Sequence, residues 1–257
     1  QFKVIVRYLQ LLLVPLGQSA DHYMVASKSL FEFKTLVGLL VLIGVIGLGV
    51  WLLRKYRLAS FGIAWFFIGL LVESSIMPIE DVMFEHRLYL PMVGFSLWLV
   101  VTVYELVQRK VLYWVSIMSF VVLMYSGLTF SRNFVWHSQV SLWTDVADKA
   151  PLKARAHINL GAYHHLEGNV NLALEHYEKA IQLGPPKASV YNNVAIIFAN
   201  DKKIDEAVVF MKRAVELDPH YYGFQTNLAK LLEQKMLIDR EETQGTIDLG
   251  EVLKIEK

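Results

Sequence analysis

Thr35 to Leu53 reads TLVGLLVLIGVIGLGVWLL, with no charged side chain in it. Crossing a bilayer core of about 30 Å as a helix takes roughly 20 apolar residues, and this run meets that length. Three more segments follow the same logic: Ser60 to Val72, extending through Ser74 and Ser75 toward Pro78; Leu88 to Val103, interrupted by Pro91; and Val111 to Phe130. Lipid offers a backbone no hydrogen-bond partner, so each is read as a helix, with spans near 35–53, 60–78, 88–107 and 111–130. Gly38, Gly44, Gly47 and Gly49 allow close helix contact, although Gly44 and Gly47 lack the GxxxG spacing of a dimer seam. Residues 1–130 are therefore a predicted transmembrane domain.

The remainder differs in composition. Of 257 residues, 54% are hydrophobic and the mean hydropathy is +0.38, yet most of the charge falls after residue 131. Two parts with two solvents are implied. A net charge of +1 gives no field for broad nucleic-acid binding, so nucleic acid is not a predicted partner. The absence of cysteine excludes disulfides, thiolate metal sites and cysteine nucleophiles.

Arg54, Lys55 and Arg57 separate the first two spans, and Arg109 and Lys110 the last two. The positive-inside bias puts both loops in the cytoplasm. The acid-rich loop ESSIMPIEDVMFEHR is then outside, and so is everything after Phe130. Phe2 to Leu16 is a fifth apolar stretch, interrupted by Lys3 and Arg7 and closed by Pro15. It is short for a span, so it reads as an interfacial or re-entrant helix, or as the tail of a longer span. The sequence opens on Gln1 in mid-pattern, without signal-peptide architecture, which predicts residues upstream.

From Ala154 a period of about 34 residues appears, the tetratricopeptide (TPR) length. Ala173 recurs at Ala207, Ala180 at Ala214, Pro185 at Pro219, and Leu160 at Val194 and Leu228. Each unit is two antiparallel helices, with small residues at their contact and a proline after the second. One unit cannot bury its apolar face alone, so units stack into a solenoid. The predicted repeats are 154–187, 188–221 and a partial 222–257, whose second helix, EETQGTIDLGEVLKIEK, is either a polar cap or cut short. VWHSQVSLWTDVADKAP reads as a degenerate helix ending at Pro151, so 131–257 forms a second, extracytoplasmic domain and the fold class is all-α.

These strings resemble a known family. FEHRLYLPMVG, then RNFVWHSQVSLWTDVADKAP, then RAHINLGAYHHLEGN look like TMTC-type and related bacterial TPR membrane proteins, and VIVRYLQLLLVPLGQSADHY resembles a middle segment of such proteins. Those are similar to GT-C glycosyltransferases, which use a polyprenyl-phosphate sugar on the extracytoplasmic side. The resemblance implies a bacterial inner-membrane protein with a periplasmic TPR domain. It implies a polyprenyl-phosphate-linked sugar donor and no bound cofactor, with a membrane lipid and a protein or peptide as partners. GT-C enzymes carry their catalytic acid in a first outer loop near the N-terminus. The chain resembles the C-terminal portion only, so no catalytic residue is assigned in it.

Two candidate sites follow. In the outer loop stand Asp81, Glu85, His86, Arg87 and Tyr89, and ionisable groups at a membrane boundary are costly unless used or paired. Arg87 suits a lipid phosphate bidentately, His86 adds a hydrogen bond, and Glu85 or Asp81 orients the arginine. The plain alternative is a solvated or salt-bridged cap on the third span. Asp21 and His22 read as a solvated turn after Pro15 and Gly17, or as further groups facing the same cavity. In the repeats, Asn159, Asn193 and Asn227 recur in register, either facing a peptide-binding groove or bonding neighbouring turns. A carboxylate clamp would need lysines where Ile158, Asn192 and Thr226 stand. His164, His165 and His176 lack a carboxylate pair, and His164 sits where a packing aromatic is usual, so no metal site is predicted. Trp136 and Trp143 are read as filling the junction of membrane and repeats. No Ser-His-Asp set, P-loop or dinucleotide fingerprint is visible. The functional expectation is the C-terminal part of a polyprenyl-phosphate-sugar-dependent protein glycosyltransferase with an acceptor-binding tail. The alternative is a non-enzymatic, membrane-anchored TPR scaffold.

Overall fold

Helices occupy the stretches that the apolar runs and the repeat period predict. The computed structural model describes residues 1–24, 27, 29, 31–73, 83–185 and 187–255, and no strand occurs among them. The chain divides into two compact units, Gln1–Ala150 and Pro151–Lys257.

The first unit holds α1 (Phe2–Leu13), α2 (Phe33–Leu52), α3 (Arg57–Glu73), a 3-10 turn (Glu85–Leu88), α4 (Tyr89–Leu106), α5 (Val111–Asn133), a 3-10 turn (Phe134–Trp136) and α6 (Gln139–Lys149). Among the described residues, Phe33–Leu52, Glu85–Leu106 and Val111–Trp136 are long and apolar enough to cross a membrane. The other expected span is the shorter apolar helix Arg57–Leu71, and its extension toward Pro78 lies outside the described residues. The chain is a membrane protein of all-α architecture.

Glycines set how closely these helices meet. A Cβ on Gly62 of α3 would lie 2.6 Å from the Gly94 carbonyl of α4, so the two backbones touch there. Two turns further along α3, Gly69 faces the Pro91 ring, which makes the pair antiparallel. Trp65 Nε1 donates to the Leu90 carbonyl across the same seam at 3.2 Å. Ser60 Oγ donates to the Gly49 carbonyl at 2.7 Å, joining α3 to α2. In lipid, where apolar burial drives little association, such backbone contacts and hydrogen bonds hold helices together. Along α5 no residue is buried, and Leu112, Phe120 and Leu123 face outward, as a lipid-facing span requires.

Helix α1 is amphipathic. Val4, Tyr8, Leu11 and Leu12, at helical spacing, are buried with Phe66, Leu70, Met83, Leu88 and Phe95. The Tyr125 hydroxyl donates to the Leu12 carbonyl at 2.7 Å, satisfying one of the carbonyls a helix end leaves open. α6 starts from a capping box, Ser138 Oγ accepting from Ser141 N at 3.0 Å, and stops before Pro151 as expected. Arg132 pairs with Asp145 at 2.8 Å, and Lys149 Nζ donates to the Gln18 carbonyl at 2.6 Å. The Lys149–Gln18 bond and the unbroken run of α5 through Asn133 tie residues 131–150 to the first unit, and the compact boundary falls at 150/151, against 130/131 in the sequence reading. Trp136 is exposed rather than packed, and Trp143 is half-buried.

The second unit holds α7 (Ala154–Leu166), α8 (Val170–Leu183), α9 (Ala188–Asn200), α10 (Ile204–Leu217) and α11 (Tyr222–Ile255). Ala173, Ala207 and Ala214 are wholly buried at the helix contacts. Left-handed residues turn each hairpin, Gly168 at φ 81° and Lys202 at φ 62°. The third unit departs from expectation: α11 is one unbroken helix, not two. Its residue in register with Gly168 and Lys202 is Met236, flanked by Lys235 and Leu237, all strong helix formers with no turn residue among them.

Candidate functional site

The candidate site lies where two segments distant in sequence meet in the first unit. After α1, Gly17 adopts φ 68°, and its carbonyl accepts from Arg7 Nη2 at 3.0 Å. That turn brings the following residues to the Glu85–Leu88 turn. Glu85 Oε1 accepts from the Ser19 backbone N–H at 2.7 Å and lies 2.7 Å from His22 Nε2. Beneath it, the Tyr8 hydroxyl donates to the Phe84 carbonyl at 2.9 Å and accepts from Phe84 N at 3.2 Å. The Arg87 guanidinium stands over the Phe84 ring at 5.5 Å, and His86 stacks on the same ring at 5.1 Å.

The expected residues are thus partly brought together. Glu85, His86 and Arg87 share one turn around Phe84, with His86 exposed and the others half-buried. Tyr89 is exposed at the start of α4, and Asp81 lies outside the described residues. Glu85 is committed to His22 and Ser19, so orienting Arg87 is not its visible role. Asp21 and Ser19 are buried, which overturns the reading of a solvated turn there. Tyr8, Arg7 and Ser19 escaped the sequence reading. Tyr8 did carry a signal, a hydroxyl on the buried face of an apolar helix, where such groups need a partner.

In the repeats, two of the three registered asparagines, Asn193 and Asn227, join Asn192 in a polar relay. Asn227 Nδ2 donates to Asn192 Oδ1 at 3.0 Å, Asn192 Nδ2 to Asn193 Oδ1 at 3.1 Å, and Asn193 Nδ2 to the Tyr177 hydroxyl at 3.1 Å. Asn159 stands apart, donating to the Arg155 carbonyl one turn back at 3.1 Å. All four asparagines are half-buried, so each keeps an edge toward solvent.

His157, absent from the sequence reading, joins His164 and His176 between α7 and α8, while His165 takes no part. Burial pushes His157 and His176 below the ordinary imidazole range, and neighbouring imidazoles add to the lowering at His176. Among the described residues no three His, Asp or Glu side chains are placed to hold a metal.

Fold and clusters define a polytopic helical membrane protein that carries TPR hairpins. Residues 154–186 and 188–221 each match the tetratricopeptide repeat family. The chain is 25% identical over 178 residues to the protein O-mannosyl-transferase TMTC3 of Homo sapiens, covering 62% of this chain and 19% of that protein. It is 25% identical over 162 residues to Tmtc3 of Drosophila melanogaster, covering 61% of this chain and 18% of that protein. Over 64 residues the chain is 38% identical to stress-induced-phosphoprotein 1 of Caenorhabditis elegans, covering 25% of this chain and 20% of that protein. The chain is TMTC-like and TPR-containing, and it spans under a fifth of the length of the TMTC3 proteins it matches.

Proposed function

We propose that the first unit is part of a protein glycosyltransferase that draws on a polyprenyl-phosphate-linked sugar, with the TPR unit engaging a protein acceptor. The observation that carries this reading is the Glu85–Leu88 turn, pinned by Ser19, His22 and Tyr8, with Arg87 and His86 beside it. A guanidinium held against an aromatic ring is pre-organised, and its planar fork matches two phosphate oxygens. In the proposed step an acceptor hydroxyl oxygen bonds to the anomeric carbon of the sugar. The carbon–oxygen bond to phosphate breaks, and the polyprenyl phosphate leaves with the electron pair. Arg87, His86 and Tyr89 would stabilise that leaving charge, Asp81 is proposed to orient Arg87, and the acceptor's hydroxyl proton passes to the departing phosphate.

The likeness to O-mannosyl-transferases supports mannose as the sugar. The loop charges support an extracytoplasmic turn and TPR unit, periplasmic if the membrane is a bacterial inner one. The asparagine edges at 159, 193 and 227 are proposed to meet the backbone of an acceptor peptide. Arg87→Ala in the full-length protein is expected to reduce sugar transfer from polyprenyl-phosphate mannose by at least about 100-fold, the scale for losing a charge-stabilising donor, with membrane levels unchanged. Transfer retained at wild-type rate removes Arg87 from the site, and wild-type protein inactive with this donor and supplied acceptor proteins favours a scaffold.

A further inference from the structure

The histidines of the first repeat occupy positions that the second repeat fills with inert rings. His157, His164 and His176 are in register with Tyr191, Phe198 and Phe210. In the second repeat Phe198 and Phe210 lie 5.3 Å apart by ring centroid, and Tyr191 and Phe210 6.3 Å. In the first, the corresponding separations are 5.5 Å for His164–His176 and 5.4 Å for His157–His176. One backbone frame thus holds two ring trios of similar spacing, and only one of them titrates.

We propose that the first repeat is an acid-sensitive element, in which protonation of the His157–His176 pair loosens the α7–α8 hairpin while the second repeat stays closed.

The geometry of one contact explains why. His157 Nδ1 and His176 Nδ1 are 3.1 Å apart while the ring centres are 5.4 Å apart. The two rings therefore meet edge to edge, with the nitrogens on the line between their centres and one proton between them. One of the two rings carries a proton on Nδ1 and donates it to the lone pair on Nδ1 of the other, and either ring can be the donor. One added proton is tolerated by this bond. A second sets N–H against N–H and breaks it, and His164, parallel to His176, further disfavours charge there.

The surroundings do little to offset such charge. Lys179 disfavours protonation of both His157 and His176. Glu175 favours it at His176 but is exposed and bound to Lys179 at 2.7 Å. Glu167, also exposed, lies 3.8 Å from His164 Nδ1. α9, packed on both helices, carries no charged residue. The facing nitrogens do not aim at a shared metal position: their lone pairs lie along the line between the ring centres, where two bonds of about 2.0–2.1 Å need roughly 4 Å between nitrogens.

The direction of the response follows from linkage. Both histidines are held below the 6.5 of a free imidazole, so the unfolded hairpin takes up protons first. The hairpin is at full stability above 6.5 and loses stability as pH falls through that value toward the lowered folded ones.

Hydrogen exchange of the full chain in detergent micelles, at about pH 7.5 and about pH 5 and corrected for chemical exchange rates, tests this across the imidazole range. Peptides from α7–α8 are expected to lose protection by about tenfold or more at the lower pH, and peptides from α9–α10 to keep theirs. His157→Tyr, His164→Phe and His176→Phe together import the second repeat's rings and are expected to abolish the difference. His176→Phe alone, should the triple variant not fold, is expected to blunt it. Equal loosening of both repeats, no loosening, or loosening undiminished in the folded variant overturns the proposal. Protection of wild-type α7–α8 that rises with added zinc at the higher pH, and not in the variants, overturns it in favour of a metal site.

Discussion

The two repeats solve one packing problem with different pairs of residues. In the first, Gly161 faces Tyr177, and a Cβ on that glycine would come within 2.7 Å of the tyrosine ring. In the second, the registered positions hold Ala195 and Met211, both buried. A flat, rigid ring needs the extra room of glycine, whereas a flexible thioether bends around a methyl group. The pair, not either residue, is the unit that the repeat preserves. The same holds at the turn, where Gly168 takes its left-handed φ without strain and Lys202 does so at a price.

The largest expected departure from this symmetry is Gly161→Ala. The added methyl meets Tyr177, and overpacking of this kind destabilises by about 2 kcal/mol, net of the better helix propensity of alanine. Faster exchange of α7–α8 amides registers it. Tyr177→Met on that background transplants the second repeat's pair and is expected to recover more than half of the loss; no recovery would show that the pairs are not interchangeable. Tyr177→Phe alone is milder. It leaves Asn193 Nδ2 without its hydroxyl acceptor and is expected to cost about 1 kcal/mol, visible as a lowered denaturation midpoint, and it interrupts the asparagine relay at its end. Smallest is Lys202→Gly, which relieves the left-handed strain. It is expected to stabilise α9–α10 by about 0.5–1 kcal/mol, and unchanged exchange there would mean that the turn is relaxed as it stands.

The repeats were readable because their signal is periodic and local: Ala173 and Ala207, Pro185 and Pro219 carry it in plain register. α2, α4 and α5 were readable because lipid demands length and apolarity, both visible in a linear string. Contacts between distant segments were not. The glycines singled out in the first span include Gly44 and Gly47, which meet nothing within 4 Å, while the close seam lies at Gly62 and Gly94. Composition cannot tell a glycine that faces lipid from one that faces a helix. Likewise His22 looked like a turn residue because its partner, Glu85, is remote in sequence. The missing turn in α11 was legible at Met236, but the expectation of a helical pair outweighed it.

Gly62 and Gly94 differ from Gly161 in what lies opposite. At Gly161 the obstacle is a side chain, which a second substitution can trade away. At Gly62 it is the Gly94 carbonyl and the Trp98 backbone nitrogen, at 2.6 and 2.8 Å, and at Gly94 it is the backbone of α3 in turn. No exchange of side chains elsewhere removes a main chain. The seam therefore has no second-site suppressor: a larger residue at either position can be accommodated only by moving the helices apart. Proteins that keep this helix pair should keep both glycines, and a homologue that has lost one should have lost the other and cross its helices differently.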